Sequence, residues 1–452
     1  MPCTVLVTMQ VAPQFQQEFF NQTTLHPVGV ALTGLLALGM LFLPRRSAAV
    51  TLLLMACFMA SGQRLALASL DFTLMRILIL VGWTRLLARG ELGISRWLLL
   101  DTFVLAMSVV ELLAYTLLWG TPEALINRLG ASLDYAGAYF LLRHLVRGWQ
   151  DITVIATAAC WVALPTAAFF LVEFSTGRNL FSVFSGVPEM TAIRAGRLRC
   201  QGAFSHPILA GCFWTSFIPL ICSVGINNRA RLPIVVFACL GALTVVFTCA
   251  SSTPLLAVLV VAAVAACYPL RPWASMLSIS GVAVLIALHL TMSRPVWHLL
   301  ARMNALGSST GWHRYHLIDE AVNHFGDWWL IGTKDTAYWG EGLHDITNEY
   351  ILRGVHGGFL TMLLLVLTVW CALRYVGKAC SAATTSPAET LGIWVLGASV
   401  MAHAVSFIST SYFGQITLAW VMSLALVAAA FSESTTKEEQ LADIRLPVGD
   451  SR

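Results

Sequence analysis

Apolar residues in this chain come in long uninterrupted runs, neither alternating as in a half-buried strand nor one-sided as in a surface helix. The runs fall near 27–43, 47–62, 66–88, 97–119, 131–147 and 151–172, then near 207–225, 233–250, 253–268, 274–292, 354–373, 390–409 and 412–431. Crossing the hydrocarbon of a bilayer takes about 20 mostly apolar residues, so the pattern predicts an all-α polytopic membrane protein of about 12–13 transmembrane helices. Ser251-Ser252-Thr253-Pro254 fits either a tight turn between two spans or a break inside one membrane-depth segment, and the first short pair and the pair around Ser411-Tyr412 are equally open. Residues 1–432 read as a single transmembrane domain without internal repeats, and the polar stretch 433–452 as a disordered cytoplasmic tail.

Polar residues gather in two long connections, near 173–206 and 293–353. Among the short connections, Arg45, Arg46, Arg85, Arg89, Arg96, Arg143, Arg147, Arg229, Arg231, Arg271, Arg374 and Lys378 fall in every second one. That bias marks their side as cytoplasmic and leaves the two long loops periplasmic. Composition agrees: 58% of the 452 residues are hydrophobic and 11% charged, against about 25% charged in soluble domains. A net charge of +4, scattered along the chain, excludes nucleic acid as the expected partner. The 11 cysteines show no C-x-x-C spacing and sit mostly in apolar runs, as small buried hydrophobes do. Residues 1–26 lack the basic start of a secretory signal, so the N-terminus reads as retained.

The long loops carry Arg178, Arg194, Arg197 and Arg199, then Arg294, Arg302, Arg314, Lys334 and Arg353. A solvated surface explains any one of them, but the preference for Arg over Lys across the set suits bidentate phosphate recognition. In Arg197-Leu-Arg-Cys-Gln-Gly-Ala-Phe-Ser-His-Pro207, either Ser205 or His206 could cap the helix that Pro207 opens, beside arginines and free amides that together favour an anion. Tyr315, Ile318, Val322 and Phe325 recur at helical spacing, which predicts an interfacial amphipathic helix with Arg314 near its start. Inside the apolar runs lie Arg76, Glu111, Asp134, His144 and His403; intramembrane charges are usually paired, and an Arg76–Glu111 structural pair is the expectation.

Arg199, Gly202, Phe204 and Pro207, the Arg314 helix followed by Gly332, and Asn348-Glu-Tyr-Ile leading to Gly357-Gly358 and a late span together resemble the O-antigen ligase and O-antigen polymerase superfamily. The resemblance covers roughly residues 190–375, with the largest loop late in the chain. It implies a metal-independent, cofactor-free, inverting glycosyltransferase of the bacterial inner membrane, with an undecaprenyl-diphosphate-linked oligosaccharide as donor and a glycan as acceptor. A chain-length regulator is a candidate partner. By position, the family's diphosphate-binding arginines fall on Arg199 and Arg314, with Arg194, Arg197, His206, His313, Lys334 and Asn348 as further substrate contacts. Ligases carry a His-Asn-like pair before the late span, whereas Thr347 precedes Asn348 here. The departure favours a polymerase of O-antigen, capsule or exopolysaccharide repeat units and leaves His344, Asp345 or Glu349 as base.

The chemistry accounts for these residue types. Displacing a lipid diphosphate from an anomeric carbon puts negative charge on the leaving group, which fixed guanidinium groups stabilise. An imidazole or carboxylate takes the proton of the attacking hydroxyl. Two other readings stand beside the polymerase: a ligase moving the finished glycan to lipid A-core or protein, and a flippase or exporter of lipid-linked glycan. A transporter would concentrate polar residues and broken helices at mid-membrane, often in related halves; here they lie in two unequal loops.

Overall fold

A computed structural model describes residues 23–67, 70–94, 96–302, 310–382 and 385–445. Residues 1–22 of the segment read as a retained N-terminus lie outside the described residues. Two short helices, α1 (Pro27–Phe42) and α2 (Arg45–Phe58), are joined at Pro44. An antiparallel hairpin of β1 (Arg64–Leu67) and β2 (Leu70–Thr73) leads into α3 (Leu74–Arg89). Then come α4 (Leu99–Trp119), α5 (Pro122–Ser132), α6 (Ala138–Leu145) and α7 (Trp149–Thr176), with a π-helical turn at Leu133–Gly137 between α5 and α6. The first long connection holds a second hairpin, β3 (Ala192–Arg194) and β4 (Arg197–Arg199). Helices α8 (Pro207–Asn227), α9 (Leu232–Thr248), α10 (Ser252–Ala266) and α11 (Ala274–Thr291) follow. The second long connection carries α12 (Leu299–Arg302), α13 (Thr310–Asn323) and α14 (Phe325–Trp328), and α15 (Glu349–Ser381), α16 (Pro387–Phe407) and α17 (Gln415–Arg445) complete the chain.

The protein is all-α and polytopic. Most of the apolar runs coincide with helix, and among the described residues 8 helices are long and apolar enough to cross a membrane, with α1 and α10 apolar but shorter. Helix α17 is central, with 89% of its most apolar window buried, whereas none of the corresponding window of α11 is buried. A helix that is apolar all round and unburied by protein is solvated by lipid.

The connections sort onto two faces. On one, Arg45 pairs with Asp151 at 2.8 Å, Arg85 with Glu91 at 2.8 Å, Arg143 with Asp101 at 2.9 Å and Arg96 with Glu439 at 2.7 Å. On the other, Ser61 N–H donates to Ala203 O at 3.0 Å, Cys200 N–H to Thr248 O at 3.0 Å, and the amides of Asn348 and Gln415 to Ile408 O at 3.1 Å and Ala203 O at 2.8 Å. The arginines of alternate connections therefore share one face, and both long loops share the opposite one.

The second loop is stitched to α15 where that helix breaks. Thr333 N–H donates to Val355 O at 3.0 Å and Phe359 N–H to Trp329 O at 2.7 Å, around non-helical Gly357 and Gly358. Gly358 has φ +78°, and a Cβ there would lie 2.3 Å from Leu330 O, so only glycine serves.

Three expectations are corrected. The run near 66–88 is helical only from Leu74; before it the chain pairs as a hairpin, and Thr73 Oγ1 caps the helix by accepting from Arg76 N–H at 3.3 Å. The tail read as disordered from 433 continues α17 to Arg445, because Glu433 accepts from Trp149 N–H at 2.5 Å and pairs with Lys437 one turn on at 2.9 Å. Arg76 pairs with Asp134, not Glu111: the π-turn presents Asp134 to α3, and Arg76 Nη2 reaches Asp134 Oδ2 at 2.7 Å. Glu111 instead holds Arg128 and Arg353, each at 2.6 Å. The stripe expected of an interfacial helix stays largely outward, with Val322 51% and Phe325 40% exposed, while α13 also buries Leu317 and Ala321 on another side. The loop folds back over the helix, and Trp328, Trp339, Leu343 and Ile346 close a small core on that other side.

Candidate functional site

The first loop is built around Glu173 in the last turn of α7. Its Oε1 accepts from Thr191 Oγ1 at 3.1 Å and Gln201 N–H at 3.0 Å, and its Oε2 from Gly202 N–H at 2.9 Å. Both ends of the β3–β4 hairpin are thus fixed to one buried carboxylate. The hairpin reverses through Ala195 and Gly196, both at positive φ. With Arg194 opposite Arg197 and Arg199 two residues further on, strand periodicity puts all three arginines on one face. Arg194 and Arg197 are exposed and Arg199 is buried.

The opposite wall comes from the second loop. Arg314, in the first turns of α13, donates Nη2 to Thr253 Oγ1 at 2.8 Å, at the start of α10. The start of α8 packs so closely on the same turn that a Cβ on Gly211 would sit 2.6 Å from both Cys249 Sγ and Pro254 Cγ. Arg194 lies within electrostatic reach of both Arg199 and Arg314, and His206 within reach of Arg194 and Arg199. Residues from three separate segments thereby meet around the α9–α10 turn and the start of α8.

This group is positive and uncompensated. Among the described residues no carboxylate forms an ion pair with Arg194, Arg197, Arg199 or Arg314. Burial, then the neighbouring Arg194, pulls the Arg199 guanidinium below its ordinary pKa; burial does the same at Arg314, again with Arg194 contributing. The imidazole of His206 falls to about 4 through burial, then repulsion from Arg199 and Arg194. Neutral His206 caps α8, its Nδ1 accepting from Ile208 N–H at 3.2 Å, which settles the cap in its favour over Ser205. Buried Arg199 Nε and Ser205 Oγ have no hydrogen-bond partner among the described residues. Such a cluster is set up to receive an anion.

The other expected residues divide. His313, next to Arg314, hydrogen-bonds the backbone of Asp345, and burial lowers its pKa, leaving a neutral imidazole at pH 7. His344 and Asp345 are exposed on the loop. Glu349 is not free to act as base: Arg353 Nε occupies Oε1 at 2.7 Å and Tyr412 N–H occupies Oε2 at 2.7 Å. Asn348 caps α15, its Oδ1 accepting from Ile351 N–H at 3.1 Å while its amide donates to Ile408 O, so both ends are committed. Lys334 lies 5.6 Å over the Trp119 ring. The buried hydroxyl of Thr347 has no hydrogen-bond partner among the described residues.

Glu173 and Thr253 escaped sequence reasoning. A lone carboxylate in an apolar run was the available signal for Glu173; Thr253 had none, because its part depends on the turn geometry. Among the described residues no group of three or more His, Cys, Asp or Glu side chains is placed to hold a metal ion. The fold defines a multi-pass membrane protein, and the arginine group lies on the face that carries its long loops. No family model matches the chain, and no curated protein matches it significantly.

Proposed function

We propose that the protein is a glycosyltransferase that takes its donor sugar from a polyprenyl-diphosphate carrier at the periplasmic face of the bacterial inner membrane and polymerises glycan repeat units. The observation that carries this reading is the uncompensated group of Arg194, Arg199, His206 and Arg314 at the membrane-span ends. Orientation rests on charge: the face gathering Arg45, Arg85, Arg96 and Arg143 is the one that positive-inside topology holds in the cytoplasm. The arginine group is then external, where lipid-linked glycans are exposed after translocation.

In the proposed reaction a hydroxyl of the acceptor sugar attacks the anomeric carbon of the donor. The bond from that carbon to the diphosphate oxygen breaks, its electron pair leaves with the diphosphate, and the anomeric configuration inverts. Arg199 and Arg314 stabilise the charge growing on the leaving group, an effect worth about 3–4 kcal/mol per donor. The proton passes to His313, whose neutral imidazole is oriented by the Asp345 backbone and which as a base contributes roughly 10²–10⁴-fold. The superfamily resemblance around Arg199 and Arg314 supports the donor class, and Thr347 in place of histidine supports polymerase over ligase.

The test is replacement of Arg199 and Arg314 by glutamine, reading glycan length on a gel and lipid-linked repeat units by their side of the membrane. Loss of long chains with repeat units still reaching the outer leaflet is expected. Inward-trapped units would instead indicate transport. Long polymer persisting on the carrier in a deletion strain refutes the polymerase and leaves the ligase.

A further inference from the structure

Away from the arginine group, the centre of the bundle holds a buried polar side chain without a partner. Ser399 is 3% exposed, and its Oγ makes no hydrogen bond among the described residues. It lines a cavity where α8, α16 and α17 meet, together with Ser216 and Ser423. All three serines lie roughly two and a half turns from the loop-face ends of their helices, at the depth of the hydrocarbon. The rest of the lining is apolar, Phe217 and Met422 among it, and it includes no charged side chain. The space open to the centre of a water molecule is about 10 Å³, room for one.

The hydrogen bonds around the cavity fix what it offers. Ser216 Oγ donates to Phe213 O at 2.7 Å and Ser423 Oγ to Ala419 O at 3.0 Å, so both protons are spent and both oxygens can only accept. Ser399 keeps a proton to give. A water, with two protons and two lone pairs, completes this set through three hydrogen bonds, the usual number for a buried water. Ser423 Oγ also meets His403 Nε2 at 3.3 Å. Because the serine proton is spent, the imidazole carries its hydrogen on Nε2, which leaves Nδ1 to accept from Tyr412 Oη at 2.9 Å. Tyr412 N–H in turn holds Glu349 Oε2 at 2.7 Å. We infer that one water molecule is bound in this cavity, donating to Ser216 and Ser423 and accepting from Ser399, as the inner end of a hydrogen-bonded chain that runs through His403 and Tyr412 to the loop face. The water keeps the Ser423 oxygen turned toward His403. The chain gives the intramembrane histidine a positioning role for the connection between α16 and α17. An apolar void of this size stays dry, whereas one lined by three hydroxyls does not.

X-ray radiolysis of the purified full-length protein in heavy-oxygen water tests the site, because hydroxyl radicals formed from a bound water oxidise the side chain beside it. Met422 lines the cavity at 1% exposure and is the reporter; Met55, also 1% exposed and no part of the lining, is the reference. Peptide mass spectrometry is expected to find heavy oxygen on Met422 and none on Met55. Radicals generated chemically in the bulk are expected to spare both. Ser399→Ala removes the one free donor and is expected to lose most of the Met422 label while exposed Met190 keeps its own. If Ser399→Ala does not fold, Ser216→Ala takes its place with the same loss expected. An unlabelled wild-type Met422, a label undiminished in the folded variant, or oxidation of Met422 by bulk radicals overturns the bound water. Nitrogen NMR shifts of His403, assigned by their loss in His403→Gln, are expected to report the Nε2–H tautomer, and the Nδ1–H tautomer overturns the chain.

Discussion

Acid should destabilise this protein through His206 in a way that one substitution removes. The imidazole caps α8 through an unprotonated Nδ1, 3.2 Å from Ile208 N–H, and burial together with Arg199 and Arg194 holds its pKa at about 4. In the unfolded chain the value returns to about 6.5. Between those two pH values the unfolded state binds more protons than the folded one, so stability falls as pH drops through the window and is undiminished above it. The full difference corresponds to about 3 kcal/mol; the ring is only partly enclosed, so about 2 kcal/mol is the working expectation. His206→Asn keeps a competent cap and removes the titration. Unfolding of both proteins would be followed in detergent at about pH 7.5 and about pH 4.5, where the histidine dominates the difference between them. The wild type should lose about 2 kcal/mol more than the variant. Saturating diphosphate should shrink that excess, because an anion beside His206 favours its protonated form. A wild-type-minus-variant difference that does not change with pH refutes the reasoning.

Three further outcomes follow from the same geometry. Glu111→Gln leaves Arg128 and Arg353 short of a counter-charge inside the bundle and should cost about 3–5 kcal/mol in detergent stability; Glu111→Leu combined with Arg128→Leu should cost less, since Arg353 keeps Glu349 at 2.7 Å. Gly358→Ala, at φ +78° and facing Leu330 O, should abolish recovery of monodisperse protein by size exclusion, whereas Gly377→Ala, with nothing within 4 Å, should be tolerated. His313→Asn should lower the rate of glycan extension by roughly 10²-fold or more with little change in donor binding. As pH drops, the wild-type rate should hold to lower pH than an ordinary imidazole base allows and then fall as His313 protonates; a variant as fast as wild type removes His313 from the mechanism.

The spans were legible because lipid imposes a simple requirement: apolar residues in runs of sufficient length, with every backbone group bonded within the helix. That logic finds each helix but says nothing about partners. Arg76 and Glu111 were both visible as charges in apolar runs, yet a π-turn gives Arg76 to Asp134, and a residue arriving from the second loop, Arg353, takes Glu111. In α13 the outward stripe was legible, but the second buried side was not. Periodicity marks an apolar face but cannot tell which side the loop will fold over, and Leu317 and Ala321 were chosen by Trp339 and Leu343. In the site, the arginines were legible as a residue type that suits phosphate. Their meeting was not, since it depends on Glu173 fixing one loop and Thr253 receiving the other.

Charge balance separates framework from function in this molecule. Around Glu111 the charges cancel: Arg128 and Arg353 face Glu111 and Glu349, with the arginine–carboxylate distances between 2.6 and 2.7 Å. A neutral, mutually satisfied set of this kind holds α4, α5 and α15 together and asks for no ligand. Around the α9–α10 turn the opposite holds. Arg199 and Arg314 are substantially buried, no described carboxylate pairs with them, and Arg194 adds to the repulsion on both. Buried charge without a partner costs several kcal/mol in an ordinary fold. Retaining it at the ends of three spans is physically reasonable where an anion completes the set during the working cycle. Membrane lipids supply such anions at that depth, and under the proposed function a diphosphate on a long hydrocarbon would bring the missing negative charge to Arg199 and Arg314 on a tail that the bilayer accommodates.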